Sequence, residues 1–211
     1  MMDIVSYISF SFDRRYMMRW IGAGLILFIP GANFLSLGYL SRASSLSMIG
    51  GIGLPTWERK SELWWEGAKL CAIFVLYEAL PCFLFSSGFL LSSLGNFVTD
   101  FIGSIMKVLA GIAFLVCSFF IPFAFCTFIE ATDVKKAFEI EKIAGAVKEV
   151  LISYILAYGA CAFCIYVGYE FHRIPFGFIL SSVFIYYVML VATYAFTQLF
   201  RRTSLPEGRL R

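Results

Sequence analysis

Charge is what this sequence has least of. Only 15% of its 211 residues are charged and 60% are hydrophobic, against about 25% and about 45–50% in soluble domains. No soluble interior of this size hides that much apolar surface, and the mean hydropathy of +0.83 agrees. Long polar segments are also missing. The longest, residues 41–68 and 130–149, fall well short of the ~50 residues at which a domain builds its own core, which excludes a soluble catalytic domain. A formal net charge of +3 is too small and too dispersed for a nucleic-acid footprint. There is one histidine, His172, and no His-Glu-x-x-His, glycine-rich phosphate loop or paired intramembrane aspartates, so no cofactor, metal or catalytic group is expected.

What is present is a series of apolar runs, each near the ~20 residues that cross a bilayer. Residues 1–20 mix apolar side chains with Asp3, Asp13, Arg14, Arg15 and Arg19 and end at Trp20, the composition of a headgroup-level flank. The run 21–40 is too long for a signal-peptide core and lacks a small-x-small cleavage pattern, so it is expected to be retained. Pro30-Gly31-Ala32-Asn33 interrupts it, because Pro removes a donor and Asn33 can cap a new helix. The other runs, about 69–91, 104–129, 150–170 and 174–200, read as continuous spans, with kinks at Pro81, Pro122 and Pro175. Residues 54–68 carry Trp57, Trp64 and Trp65 among charges. Residues 134–149 place Phe138, Ile140, Ile143, Ala144 and Val147 at helical spacing among lysines and glutamates. Both predict amphipathic helices in the interface plane. The expected fold is an all-α polytopic integral membrane bundle in one transmembrane domain, 1–211, with four full spans and a broken or re-entrant first segment.

Basic residues set orientation. If run 21–40 dips in and returns, only Lys107 and Arg173 of the 17 basic residues lie on the far side; if it crosses, Arg14, Arg15 and Arg19 join them. The hairpin is the more biased arrangement. It predicts a multi-pass protein of the cell (cytoplasmic) membrane with both termini cytoplasmic.

Glu78, mid-run between Tyr77 and Pro81, is the most suspicious position. Ionising a carboxyl in hydrocarbon costs about 2.5–3.5 kcal/mol or more. Either it is a proton or cation site, or it is a neutral carboxyl bonded to a hydroxyl or amide on a neighbouring helix. Asn33 at the break has two readings as well: a half-helix end facing an ion path, or a plain re-entrant element. The six cysteines all lie inside apolar runs and form no disulfide framework. Cys161-x-x-Cys164 lacks a second such pair, and reads better with Ala157, Ala160 and Gly168 as small-residue rows for close helix packing. The aromatic residues read as lipid-facing and interfacial.

Several of these features recur together in order: Pro30-x-x-Asn33-Phe34, Gly38-Tyr39 with Arg42, Leu54-Pro55-x-Trp57, Gly67-x-Lys69-Leu70, and Pro122-x-Ala124 followed by Asp133 and Ala137-Phe138. From about residue 12 to residue 200 the chain resembles the prokaryotic membrane-protein family known as domain of unknown function 4013. That resemblance implies a multi-pass membrane protein and brings no catalytic residues. The expected role is non-enzymatic: a structural, assembly or accessory subunit of a membrane complex, in contact with the lipid bilayer and with a membrane protein partner or a second copy. The alternative is a small oligomeric transporter or channel using Glu78 and the broken helix at Pro30 to Asn33.

Overall fold

Left-handed residues decide where several of the helices begin and end. In the structure, a computed structural model that describes residues 4–51 and 53–205, Arg59 (φ 51°), Thr132 (φ 57°) and Phe176 (φ 61°) each stop or start a helix. The helices are α1 (Ile4–Ser11), α2 (Arg14–Ile26), α3 (Asn33–Met48), α4 (Lys60–Ser92), α5 (Phe97–Ala131), α6 (Ile140–Glu149), α7 (Leu151–Glu170) and α8 (Gly177–Phe200), with 3-10 turns at Val134–Phe138 and Phe171–Arg173. No strand occurs among the described residues. Four segments, Lys60–Ser92, Phe97–Ala131, Leu151–Arg173 and Gly177–Phe200, are long and apolar enough to cross a membrane. The protein is an all-α, multi-pass membrane protein.

Three of the expected boundaries are corrected. Residues 54–68 are not a separate interfacial helix. Pro55 lacks an N–H and Arg59 is left-handed, so helix starts only at Lys60 and then runs unbroken through Pro81 to Ser92. Its 33 residues span about 50 Å at 1.5 Å each, well beyond a ~30 Å hydrocarbon core. Likewise α5 starts at Phe97 and not near 104, because Asn96 caps it, its side chain accepting from Val98 N at 3.2 Å. Residues 134–149 divide at Glu139 into a 3-10 turn and α6. The apolar side of α6, Ile143, Ala146 and Val147, is buried in protein and not turned to lipid, although Phe138 and Ile140 stay exposed.

The chain divides into two units: Met1–Cys71 with Phe123–Arg211, and Ala72–Pro122. In the larger, α8 is the central shaft. Along it the contacts of α2 come in reverse order and those of α3 in forward order. Gly24 O accepts from Ser182 Oγ, and Trp20 packs on Tyr187 with ring centroids 4.7 Å apart. Ser36 O accepts from Tyr186 Oη at 3.1 Å, Ser44 bonds Thr197 at 2.8 Å, and Ser47 O accepts from Arg201 at 3.3 Å. Thus α2 is antiparallel and α3 parallel to α8. The chain reverses in residues 27–32, where Gly31 takes φ +82°, and returns to the end of α8 it left. Ser36 Oγ ties the two arms by donating to Ala23 O at 2.7 Å. Between α1, α2, α3 and α8 lies a core of Tyr7, Trp20, Tyr39, Tyr186 and Leu190. The rings of Tyr7 and Tyr194 stack at 4.0 Å. These aromatic residues are interior, contrary to the interfacial reading, and Trp20 in particular is 6% exposed.

The start of α4 docks on α3 backbone to backbone. A Cβ on Gly38 would fall on Leu63 O, and one on Gly67 on Phe34 O. Trp64 closes the same contact by donating its indole N–H to Gly31 O at 2.9 Å.

The smaller unit is a helical hairpin. Its buried positions, Tyr77, Pro81 and Gly88 on α4 and Gly103, Ala110 and Ile121 on α5, recur near every 3.5 residues. Gly88 and Gly103 cross closely: a Cβ on Gly88 would lie 2.7 Å from Gly103 O. Lys107 Nζ donates to Ser92 at 2.8 Å across the pair.

Gly38→Ala and Gly67→Ala place a methyl group on backbone that cannot yield. Each is expected to lower stability by about 1–3 kcal/mol, the usual cost of overpacking, or to abolish folding. Gly159→Ala, with open space around it, is expected to be neutral or to gain up to about 1 kcal/mol from helix propensity. Thermal unfolding of the detergent-solubilised variants checks both.

Candidate functional site

The candidate polar residues fall in different units and stand on their own surroundings. Asn33 is the first residue of α3, held there by its N–H bonding Ile29 O at 3.0 Å. It is not the cap: Ala32 occupies that position. Its Oδ1 is buried and accepts no hydrogen bond.

Glu78 lies in the hairpin unit, one residue past Tyr77 on the buried seam of α4. It is 4% exposed, and neither carboxylate oxygen has a hydrogen-bond partner. The reading of a carboxyl bonded to a neighbouring hydroxyl or amide is therefore not what the structure contains. A buried carboxyl without donors is costly to keep. Several hydroxyls of the larger unit satisfy themselves, Ser47 on Ala43 O, Thr127 on Phe123 O and Thr197 on Thr193 O, but the buried Ser181 Oγ and Tyr39 Oη lack a partner, as Glu78 does.

The small-residue rows on α7 are partly consumed within the chain. Gly168 is buried, and a Cβ there would come within 2.8 Å of Ile185 and 2.9 Å of Phe184 on α8. Ala157, Cys161 and Cys164 are half-buried and Ala160 is exposed. All six cysteines are free thiols, and among the described residues no group of three or more His, Cys, Asp or Glu is arranged to hold a metal. His172 is exposed, its Nδ1 3.1 Å from Tyr169 O.

Sequence reasoning missed a cavity of about 220 Å³ beside the end of α5, lined by Glu130, Asp133, Lys136, Glu139 and Lys142. Its charges face one another. Glu139 pairs with Lys142 at 2.7 Å and with Lys136 at 3.4 Å, and Asp133 accepts from Lys135 N at 2.9 Å, capping the 3-10 turn. The i,i+3 spacing of Lys136, Glu139 and Lys142 was the available signal.

The residues of the ordered motifs work as packing and caps. Arg42 donates to Glu58 O at 2.6 Å and pairs with Glu62 at 3.3 Å. Arg19 donates to Leu54 O at 3.1 Å and Pro55 O at 3.3 Å. Trp57 lies on Tyr39 with centroids 4.8 Å apart, and Gly38 and Gly67 make the α3–α4 contact.

Two outcomes follow. Glu78→Leu removes a carboxyl without partners, so its thermal midpoint in detergent is expected to rise, by the equivalent of about 1–3 kcal/mol; a fall shows that the carboxyl is satisfied in the membrane. Hydrogen bonds from Lys142 and Lys136 hold the Glu139 carboxyl below the usual carboxylate range. The stability it lends is complete above the ordinary range and is lost as pH falls through the lowered folded value. Between about pH 5 and pH 3, wild type is thus expected to lose more of its thermal midpoint than Glu139→Gln does.

No curated protein and no solved structure matches the chain. A family model described as "Protein of unknown function (DUF4013)" matches residues 22–177, the stretch that holds the end of α2, the reversal at 27–32, the α3–α4 contact, the second hairpin and α7. The chain belongs to the DUF4013 family.

Proposed function

We propose that this protein is a non-enzymatic accessory or assembly subunit of a complex in a prokaryotic cell membrane, with the C-terminal end of α8 on the cytoplasmic side. The observation that carries the reading is the distribution of charge in the larger unit. At the C-terminal end of α8 stand Arg201 and Arg202, and α3 ends there on the Arg201 bond to Ser47 O. The start of α2, with Arg14 and Arg15, lies toward the same end, as does α6, whose Glu149 accepts from Ser204 N at 2.8 Å. At the opposite end stand Arg173, paired with Glu170 at 2.9 Å, and Lys69, two residues past the Gly67 contact on Phe34 O. Positive charge concentrates on the cytoplasmic face of membrane proteins, and a basic platform of this kind suits anionic lipid or an acidic partner surface. The motif residues support the same reading, since they are engaged in holding helices together and not in framing a reaction centre.

A second reading, a small oligomeric transporter, is favoured by Glu78 alone, whose two buried oxygens lack donors. Purification of the tagged protein from its native membrane in mild detergent separates the two. A subunit is expected to bring a membrane partner at fixed stoichiometry, and to lose it when Arg201 and Arg202 are both changed to Glu. A lone homo-oligomer that Glu78→Gln inactivates in reconstituted flux assays favours transport.

A further inference from the structure

An ionised carboxylate needs hydrogen-bond donors, a cation or water around it, and the surroundings of Glu78 offer none of the three. The side chain is 4% exposed, which keeps it from bulk water, and neither oxygen meets a donor. Pro81, one turn on along the same seam, brings no N–H. The outward side of these turns shows Phe74, Val75, Leu76, Leu80 and Phe83, in a segment long and apolar enough to span. The carboxyl thus sits inside the seam at the level of an apolar belt.

A counter-ion is missing as well. The hairpin unit, 72–122, contains Lys107 as its one basic residue, and Glu78 and Asp100 as its acids. Lys107 is committed to Ser92, and residues 78 and 92 are about 21 Å apart along α4 at 1.5 Å per residue. Lys69, the nearest base before Glu78 on α4, is exposed and lies about two and a half turns back, on the other side of the helix. Cys117 is the titratable group that α5 turns toward the carboxyl, and Tyr77 precedes it on the seam of α4. A thiol and a phenol are neutral or negative in every protonation state, so neither balances a carboxylate.

A metal cation suits the place no better. Hard cations take several oxygen ligands, and one carboxyl beside a phenol and a thiol is a poor set for them. The proton is what remains. It neutralises the carboxyl with no second side chain, and it lowers the cost of the site from that of a buried charge to that of a buried polar group. Exchange is open to it, because the hairpin unit consists of two helices and has no third of its own to seal the seam.

We propose that Glu78 is a proton-binding site, its carboxyl holding one exchangeable proton in the α4–α5 seam at physiological pH, where a basic side chain or a metal ion would otherwise stand. This names the ligand of the residue on which the transport reading rests, yet it survives the failure of that reading. Flux tests transport, whereas the protonation state is read with no flux at all.

The test is infrared difference spectroscopy of the full chain in vesicles of ether-linked phospholipid, which carry no ester carbonyl. A protonated carboxyl has a carbonyl stretch above the amide band, and a carboxylate does not. At pH 7 exposed carboxyls are ionised, so wild type minus Glu78→Gln isolates this group, with the exposed Asp100→Asn as control. The expected result is one acid carbonyl band at pH 7, kept in Asp100→Asn, lost in Glu78→Gln and moved to lower frequency by deuterium oxide. Should Glu78→Gln fail to fold, Glu78→Asp takes its place and is expected to move the band. Without an acid band that either variant alters, the carboxyl is ionised in the membrane and the proposal is overturned. A band that stays unshifted after overnight equilibration in deuterium oxide overturns it too, since the proton is then locked and not exchangeable.

Discussion

Hydrocarbon supplies no hydrogen bonds, and the larger unit is organised around that constraint. Both α2 and α3 are too polar to stand alone in lipid: they carry Arg14, Arg15 and Arg19 on one arm and Ser36, Ser41, Ser44 and Ser47 on the other. Several of the buried hydroxyls find their partners inside the protein. Ser36 finds Ala23 O, Tyr186 finds Ser36 O, Ser182 finds Gly24 O, and Ser44 finds Thr197. The hairpin and α8 complete one another, and the reversal at residues 27–32, the docking of α4 and the position of α1 all rest on that completion. Hydrogen bonds of this sort contribute modestly one by one, but leaving them unmade would strand several buried groups at once.

The hairpin unit solves the same problem differently. Its seam is nearly apolar and depends on close approach, with Gly88 against Gly103. Two polar side chains interrupt it. Lys107 is satisfied by Ser92, whereas Glu78 is not satisfied by anything in the described structure. Asn33 Oδ1, Tyr39 Oη, Ser181 Oγ and Gln198 Oε1 share that condition, but Glu78 is a carboxyl with neither oxygen bonded, and it is the reason the transport reading keeps a place beside the subunit reading.

The apolar runs and the break at Pro30-Gly31 were legible because hydropathy and backbone chemistry act locally. The long helices followed from run length alone, though their starts did not: the left-handed φ at Arg59 and the cap at Asn96 belong to backbone geometry that composition does not carry. The destinations of side chains were less legible still. Tyr7, Tyr39 and Tyr186 look like headgroup anchors in a list of residues, and only the fold of α1, α2 and α3 around α8 makes them core. The apolar stripe of α6 fits protein as well as lipid, and periodicity cannot distinguish them. Gly38 and Gly67 stood out as motif letters, but their meaning as a pair exists only once α3 and α4 cross. Of the candidate residues, Glu78 was conspicuous from its run, yet its lack of a donor is a fact about neighbours.

The partners of the α2–α3 hairpin have a consequence for biosynthesis. Gly24, Ser36 and Ser44 bond residues 158, 150 and 153 positions further along the chain. Those residues lie on α8, which leaves the ribosome well after α2 and α3. Until it arrives, the hairpin has its own Ser36–Ala23 bond but not the partners that α8 supplies, and it waits at the aqueous edge of the bilayer or in the keeping of the insertion machinery. The α2–α3 hairpin is thus made early and housed late.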